Sequence, residues 1–477
     1  MNAEDVFVLL PDCLRSAEID LMEKLERRSD FLTANCYSSG TWTLPAHATL
    51  YSAESAYDHV AVRRGDTLSG GKVQVPKVAR KNGYTTVLVS ENPTFGSGTG
   101  FQEGVDVMDE DVHLKKYPST DSPANDISNI SLEAALTLIS GVLKSGSILR
   151  NGINAVYGTY EYIQSKPPTD YPHHGEQVLS HLSTHIENNE RVFAMVNLLD
   201  THNPHYTPPE RGAGRLDVTV SAQESEALAA ANQNIEYILG EPLPKDARDG
   251  FESRDTVQTR MHDIYQTQVA YVDDIISDWF ERHEDRLEDA LVVTVGDHGQ
   301  MFGAEGMVGH HTSLHPHGIS VPVFISFPDA WSTEKPDFQH PTSFTGLVQA
   351  IEKTLAGQIG DADRFLNVWT ESDVVTCVDG PTWNIGELQD DYGADLVDEL
   401  GVRKIGIIEE DTQTVHTCLW KSSQVTTETY KITPNGRERI DAAPAELSGP
   451  QRDWLTDGDD VQEVGEVSAR LEALGYK

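Results

Sequence analysis

Residues 290–311 read ALVVTVGDHGQMFGAEGMVGHH. Within them a carboxylate and an imidazole, Asp297 and His298, directly follow an apolar run and stand between Gly296 and Gly299. The run at 291–295 is nearly continuous and valine-rich, which predicts a strand buried on both faces. Ligands of open α/β sheets bind outside the carboxyl ends of the strands. A charged pair at such a point, beside glycines that let backbone come close, suits a metal or phosphate site. Taken alone, the dipeptide suits a turn with a helix cap equally well. Four more histidines follow closely, His310, His311, His315 and His317.

The same arrangement recurs along the chain. The apolar run at 6–10 ends in Pro11-Asp12, and TTVLVS at 85–90 ends in Glu91-Asn92. RVFAMVNLL at 191–199 ends in Asp200, Thr201 and His202. Asp12, like Asp297, could be a metal ligand or a helix N-cap. Between the first two runs lies CYSSGTWTLPAHATLYSA at 36–53, crowded with small hydroxyls. Pro45 suits the first turn of a helix. A hydroxyl just ahead of it, Thr43, would meet free N–H groups and the positive end of the helix dipole. That suits an oxygen nucleophile attacking phosphorus or sulfur, and it also suits a plain helix cap.

The elements that must position these residues alternate. Helical periodicity marks 14–28, 72–82, 131–143, 177–188, 256–286 and 343–355, and a further strand is expected at 321–327. Strands alternating with helices predict an α/β fold, a mostly parallel central sheet flanked by helices with one polar rim. Residues 210–255 read as an acidic, alanine-rich surface insertion with some helix. Beyond about 370 the character changes to short valine-rich runs around Pro434-Asn435-Gly436. This predicts a catalytic domain over 1–370 and a small C-terminal α+β subdomain over 371–477, with an antiparallel hairpin and a closing helix at 464–474. The glycine-rich FGSGTGFQEG at 95–104 lacks the lysine and the register of a nucleotide loop.

Charge narrows the partners. Asp and Glu outnumber Lys and Arg by 76 to 36, for a formal net charge of −40. Nucleic acid is excluded as a partner, because phosphate-backbone binding needs a basic footprint. The acid is dispersed over the chain, so the folded protein repels itself at low salt. Near molar salt the Debye length falls to about 3 Å and the repulsion is screened. The composition therefore reads as an extreme-halophile cytoplasmic style. Four cysteines without a Cys-x-x-Cys pair fit a reducing compartment and exclude a zinc knuckle. The first residues, MNAEDVFVLLPD, read as a strand and not a signal peptide. No apolar run is long enough to span a membrane.

Together these segments resemble the sulfatase family of the alkaline phosphatase superfamily, in a haloarchaeal-type form. The resemblance is carried by Pro11-Asp12, TWTLPAHATLYSA at 41–53, NLLDTHNPHYTPP at 197–209, VTVGDHG with the following GMVGHHTSLHP, and the closing ARLEALGY. It implies an alkaline-phosphatase-like fold and a metal-dependent hydrolase of sulfate or phosphate esters, small-molecule or glycan. It implies that Asp12, Asp297 and His298 hold one divalent ion. Thr43 falls at the nucleophile, His202 in the family's Asp-x-His-x-Pro segment, and His310 where a lysine or histidine contacts the ester oxygens. His47, Asn92, Asp200 and His311 complete the expected site as substrate-binding residues. Carboxylates with a single histidine suit Ca, Mn or Mg better than Zn.

The chain departs from the family at three points. Family members that make formylglycine carry Cys or Ser, x, Pro, x, Arg; here the stretch is Thr43-Leu44-Pro45-Ala46-His47. Threonine cannot become formylglycine, because its β-carbon bears a methyl. The family's second carboxylate is replaced by Cys13, which could compensate as a thiolate or simply pack. Without the geminal hydroxyl that frees a sulfo-enzyme, Thr43 tilts the chemistry toward phosphate esters or phosphonates. Two other functions suit the same fold: transfer of a phosphoryl-type group to an alcohol, and non-catalytic, metal-stabilised binding.

Overall fold

Strand β1 (Asp5–Pro11) runs through the middle of an eight-stranded sheet. The computed structural model describes residues 3–59, 61–63, 65–68, 72, 74–110, 112, 174–232, 251–310, 312–331, 340–381, 400–420, 422, 424–434 and 436–456. After β1 come a 3₁₀ turn (Ser16–Leu21), helix α1 (Glu23–Arg28), β2 (Phe31–Tyr37) and α2 (Thr43–Ser52). Next are α3 (Val75–Lys81), β3 (Thr85–Ser90), β4 (Val107–Glu110), α4 (Gly175–Glu187) and β5 (Val192–Leu198). Helices α5 (Glu210–Leu216), α6 (Ala222–Asn232) and α7 (Arg254–Arg282) lead into β6 (Ala290–Val295). A small ribbon, β7 (Met301–Phe302) with β8 (Val308–Gly309), precedes β9 (Ser320–Ser326). Then follow β10 (Thr342–Ser343), α8 (Phe344–Leu355) and α9 (Ala362–Thr370).

The sheet order is β10-β2-β9-β6-β1-β5-β3-β4, and every pairing is parallel except the two made by β9. Both faces of β1 are buried: Val6, Val8 and Leu10 enter one apolar cluster, Phe7 and Leu9 the other. That is why its sequence is a continuous apolar run and not an alternating one. Helices α2, α3, α8 and α9 cover the first face, α4 and α7 the second. The fold is thus the expected α/β sandwich of layers. Because β6, β1, β5 and β3 are neighbours and parallel, the residues after them share one rim.

Beyond α9 the chain forms a five-stranded antiparallel sheet. Its order is β11 (Val374–Asp379), β12 (Val402–Glu409), β13 (Thr412–Leu419), β14 (Val425–Thr433), β15 (Gly436–Ile440). A short helix, α10 (Gly449–Thr456), follows. This sheet docks on the rim side of the large one: Cys377 N donates to Ser39 O at 2.8 Å, and Lys404 Nζ to Thr312 O at 2.7 Å.

Two expectations change in detail. The single helix expected over 14–28 is broken, because Arg15 stays extended and the 3₁₀ turn and α1 meet at Met22, outside helical geometry. Arg15 is held there by Tyr265 Oη, which accepts its N–H at 3.0 Å, and by a buried pair with Glu18. The long helix expected over 256–286 ends at Arg282. The expected helices at 131–143 and 464–474 lie outside the described residues. Among the described residues no helix is long and apolar enough to cross a membrane.

Candidate active site

Four adjacent strand ends build the site. Asp297 and His298 follow β6, Asp12 follows β1, Thr201 and His202 follow β5, and Asn92 follows β3. The glycines around Asp297-His298 are there because backbone crowds them. A Cβ on Gly296 would stand 2.3 Å from Leu14 O, and one on Gly299 would stand 2.0 Å from His317 O. Two hydroxyls fasten the backbones that carry the carboxylates. Thr201 Oγ1 donates to Asp12 O, and Ser38 Oγ donates to Asp297 O, each at 2.5 Å.

The ligand atoms of Asp12, Asp297 and His298 all lie within 4.8 Å of one another. His298 Nε2 is 3.5 Å from Asp12 Oδ1 and 3.6 Å from Asp297 Oδ2. His298 Nδ1 sits 2.9 Å from Gly299 O, so that nitrogen carries the proton and Nε2 presents its lone pair. Neither Nε2 nor Asp297 Oδ2 makes a hydrogen bond, although both are fully buried. Among the described residues the ion-pair partners of these two carboxylates are histidines alone. Two buried carboxylates and a bare imidazole nitrogen fit a divalent ion.

The other oxygen of Asp12 is occupied. Asn92 Nδ2 donates to Asp12 Oδ2 at 2.8 Å and to Thr43 Oγ1 at 3.1 Å. Asn197 Nδ2 donates to the same Oδ2 at 3.3 Å, and the Thr43 hydroxyl reaches it at 3.4 Å. Burial pushes the Asp12 carboxyl up, but His202, His298, His47 and the Asn92 amide outweigh it and hold it below the usual range. Thr43 is the first residue of α2, and the cap residue is Trp42, whose side chain makes no capping bond. The Thr43 hydroxyl therefore points at Asp12 and Asn92 and not back at its own helix.

The remaining expected residues are distributed around this core. His47, one turn along α2, brings Nε2 to 3.2 Å from Asp297 Oδ2, outside hydrogen-bond alignment, and packs edge-on to Phe95. His202 and His310 meet at 3.3 Å, Nε2 to Nε2. Burial keeps His202 below its ordinary value. Asn92 spends its amide on Asp12 and Thr43, and its Oδ1 accepts from Thr94. Asp200 Oδ1 accepts from Gly175 N at 3.2 Å, at the start of α4. His311 lies outside the described residues.

Two neighbours take roles that the sequence did not specify. Cys13 adopts φ 65, and its N–H donates to Asp297 Oδ1 at 3.0 Å. Its thiol contacts Asp12 Oδ1 at 3.3 Å. Burial, then Asp12 and Asp297, push that thiol well above its ordinary value. His205 is pinned between Gln268 Oε1 at 2.8 Å and Gln300 Nε2 at 3.1 Å, and burial takes it down to about 3.

Comparison with known proteins agrees with this fold. A family model described as Sulfatase matches residues 14–351. The fold resembles a phosphonate monoester hydrolase of Agrobacterium radiobacter, with a TM-score of 0.59 and 15 % identity over 90 % of this chain and 89 % of that one. A phosphonate monoester hydrolase from Silicibacter pomeroyi gives a TM-score of 0.52 and 14 % identity over 90 % and 89 %. A 2-O GAG sulfatase gives 0.51 and 13 % over 90 % and 85 %. No curated protein matches the chain.

Proposed function

The chain belongs to the sulfatase family, and on that premise we propose that it hydrolyses phosphate-type esters, with Thr43 as nucleophile and one divalent ion held by Asp12, Asp297 and His298. The observation that carries the reading is the pair of contacts at Thr43 Oγ1, to Asp12 Oδ2 and from Asn92 Nδ2. A buried hydroxyl at a helix start, relieved of any capping duty and turned to a carboxylate, is placed for attack.

When bound, the ion supplies positive charge for the ester oxygens and a lower effective pKa for the hydroxyl. Asn92 donates to Oγ1, so its lone pairs are oriented, and the hydroxyl proton faces Asp12 Oδ2. As Thr43 Oγ1 bonds to phosphorus its proton passes to Asp12 Oδ2, and the bond to the departing oxygen breaks, that oxygen taking a proton from solvent to leave as the alcohol. The first turn of α2 holds free N–H groups beside the new anion. His202 and His310 line the face on which the remaining ester oxygens sit. Water then cleaves the threonine ester. Four free cysteines and the dispersed acid suit a reducing, salt-rich interior.

The test is a matched panel of chromogenic phosphate monoester, phosphate diester, phosphonate and sulfate ester, run with metal analysis. The reading expects a phosphorus ester to be cleaved fastest. Faster cleavage of the sulfate ester sinks the substrate assignment, and accumulation of an alkyl phosphate when an alcohol is added turns the reading to transfer.

A further inference from the structure

His310 reaches the site from a loop between β7 and β9, and side chains of the C-terminal sheet hold that loop. Thr312 O accepts from Lys404 Nζ at 2.7 Å. Leu314 O accepts from Gln413 Nε2 at 2.8 Å and from Arg437 Nη1 at 3.2 Å. Glu305 Oε1 accepts from Arg437 Nε at 3.0 Å and from its Nη2 at 2.6 Å. One guanidinium therefore binds both stems of the loop, at Glu305 ahead of His310 and at Leu314 behind it. We propose that Arg437 is a positioning residue for the ester hydrolysis, holding the loop so that His310 meets the ester oxygens. The proposal rests on the hydrolase reading and on the place of His310 in it.

Strand register brings these groups together. Ile408 pairs with Gln413, Gln413 with Tyr430, and Ile432 with Arg437, so their side chains leave the sheet on one face. The same face takes up Leu314, which shares an apolar cluster with Ile408, Val415, Tyr430 and Ile432. Apolar contact is non-directional and cannot by itself fix how the loop is turned. A planar fork of N–H donors can, and a lysine, with a single point of charge, cannot span both stems. The fork is itself held in place. Gln413 Oε1 accepts from Arg437 Nη1 at 2.8 Å, the Tyr430 ring lies 4.1 Å from the guanidinium carbon, and the Arg437 side chain is only 8 % exposed.

The loop requires such a hold. Glu305 has φ 52, in the left-handed region, and stands between Gly303 at φ 90 and Gly306 at φ 78; Gly309, just before His310, has φ 86. A non-glycine residue stays in that region only where its surroundings over-determine it. Arg437 does so from the C-terminal sheet, and the Ser313 hydroxyl, which donates to Glu305 Oε2 at 2.5 Å, does so from the other stem. Glycines on the near stem leave the backbone free to turn once the guanidinium is gone. His310 would then lose its place beside His202, where the two rings meet Nε2 to Nε2 at 3.3 Å.

The test is a double-mutant cycle on the whole chain, reading kcat and KM for the best ester of the panel. Arg437→Met should lower kcat about tenfold or more, with little change in KM or metal content. Arg437→Lys should not restore the rate. Because Arg437 acts through His310, adding Arg437→Met to His310→Ala should cost less than about twofold beyond His310→Ala alone. Losses that multiply, or a wild-type kcat in Arg437→Met, overturn the proposal and leave the hydrolase reading standing. A wild type that cleaves no ester overturns both. Should Arg437→Met fail to fold, Glu305→Ala removes one of the two held stems at a less buried side chain. A fall in kcat there that vanishes in the His310→Ala background supports the proposal, and an unchanged kcat sinks it.

Discussion

The backbone N–H of Cys13 donates to the Oδ1 of Asp297, a residue 284 positions further along the chain. Two neighbouring strand ends, from segments far apart in the chain, are thus locked before any ion binds. The lock leaves Asp297 Oδ2 bare beside His298 Nε2. Chelation should therefore remove activity without dissolving the fold. A site loaded at a hundred times its dissociation constant adds about 2.7 kcal/mol to stability, so EDTA should lower Tm by a few degrees while circular dichroism stays native. An unchanged Tm and unchanged turnover after verified metal removal would end the metal assignment.

Asn92 donates to both Asp12 and Thr43, which makes it a positioning residue. Asn92→Ala should lower kcat by about ten- to a hundredfold, one to two factors of 1.4 kcal/mol in barrier. KM for the best ester should change little, and metal content should hold. Asn92→Asp should be worse, since it sets a second negative charge against Asp12. A raised KM with intact kcat would instead make Asn92 a substrate contact.

How far the sequence could be read follows from what each residue does. The runs at 6–10, 85–90, 191–199 and 291–295 are strands to within a residue or so, because burial on both faces leaves no polar interruption. Strand β2 was not legible. FLTANCY alternates buried and half-buried positions and carries Thr33 and Asn35. Asp12, Thr43, Asp297 and His298 stood out as polar residues abutting apolar runs. Thr201 and Ser38 were visible as polar residues but their roles were not, because they act on backbone carbonyls that only the folded chain brings near. The Arg15–Glu18 pair was hidden for the same reason, since a charged pair at this spacing ordinarily lies on a solvated helix face.

Glu18 gives the fold an acid limit. Burial alone would raise its carboxyl, but Arg15, then His262, bring it down to about 2 from 4.5. A depressed carboxyl stabilises the fold fully above the unfolded value, and the contribution is lost as pH falls from about 4.5 through about 2. It is on the order of 3 kcal/mol. Glu18→Gln leaves Arg15 buried without its anion and should cost about 3–5 kcal/mol at neutral pH. It should also flatten stability against pH in that window. Urea titrations of both proteins at several pH values measure this, and parallel curves would refute it.

The net charge of −40 sets a salt requirement. Like charges at the surface oppose the compact state, and salt screens them. Tm should rise steadily from dilute to molar KCl. Partly buried pairs such as Asp5–Arg286 are screened less than surface charges, so the rise should follow ionic strength and survive loss of that pair. A Tm indifferent to KCl over this range would show that the acid is borne without salt.

Thr43 separates a structural role from a chemical one. A helix-cap threonine loses about 1 kcal/mol of stability on removal of its hydroxyl and leaves turnover alone. Here Trp42 holds the cap position without a side-chain bond, and the Thr43 hydroxyl faces Asp12 and Asn92. Thr43→Val keeps the shape and the branched β-carbon, so the fold and the metal should persist. Turnover should fall by roughly two or more powers of ten, each worth about 1.4 kcal/mol. Thr43→Ser keeps the oxygen and should retain much of the rate. A burst of alcohol ahead of phosphate release in the wild type, absent from Thr43→Val, would report the covalent threonine ester. Near wild-type hydrolysis by Thr43→Val would mean that the oxygen attacking phosphorus comes from water and that Thr43 only holds Asp12 in place.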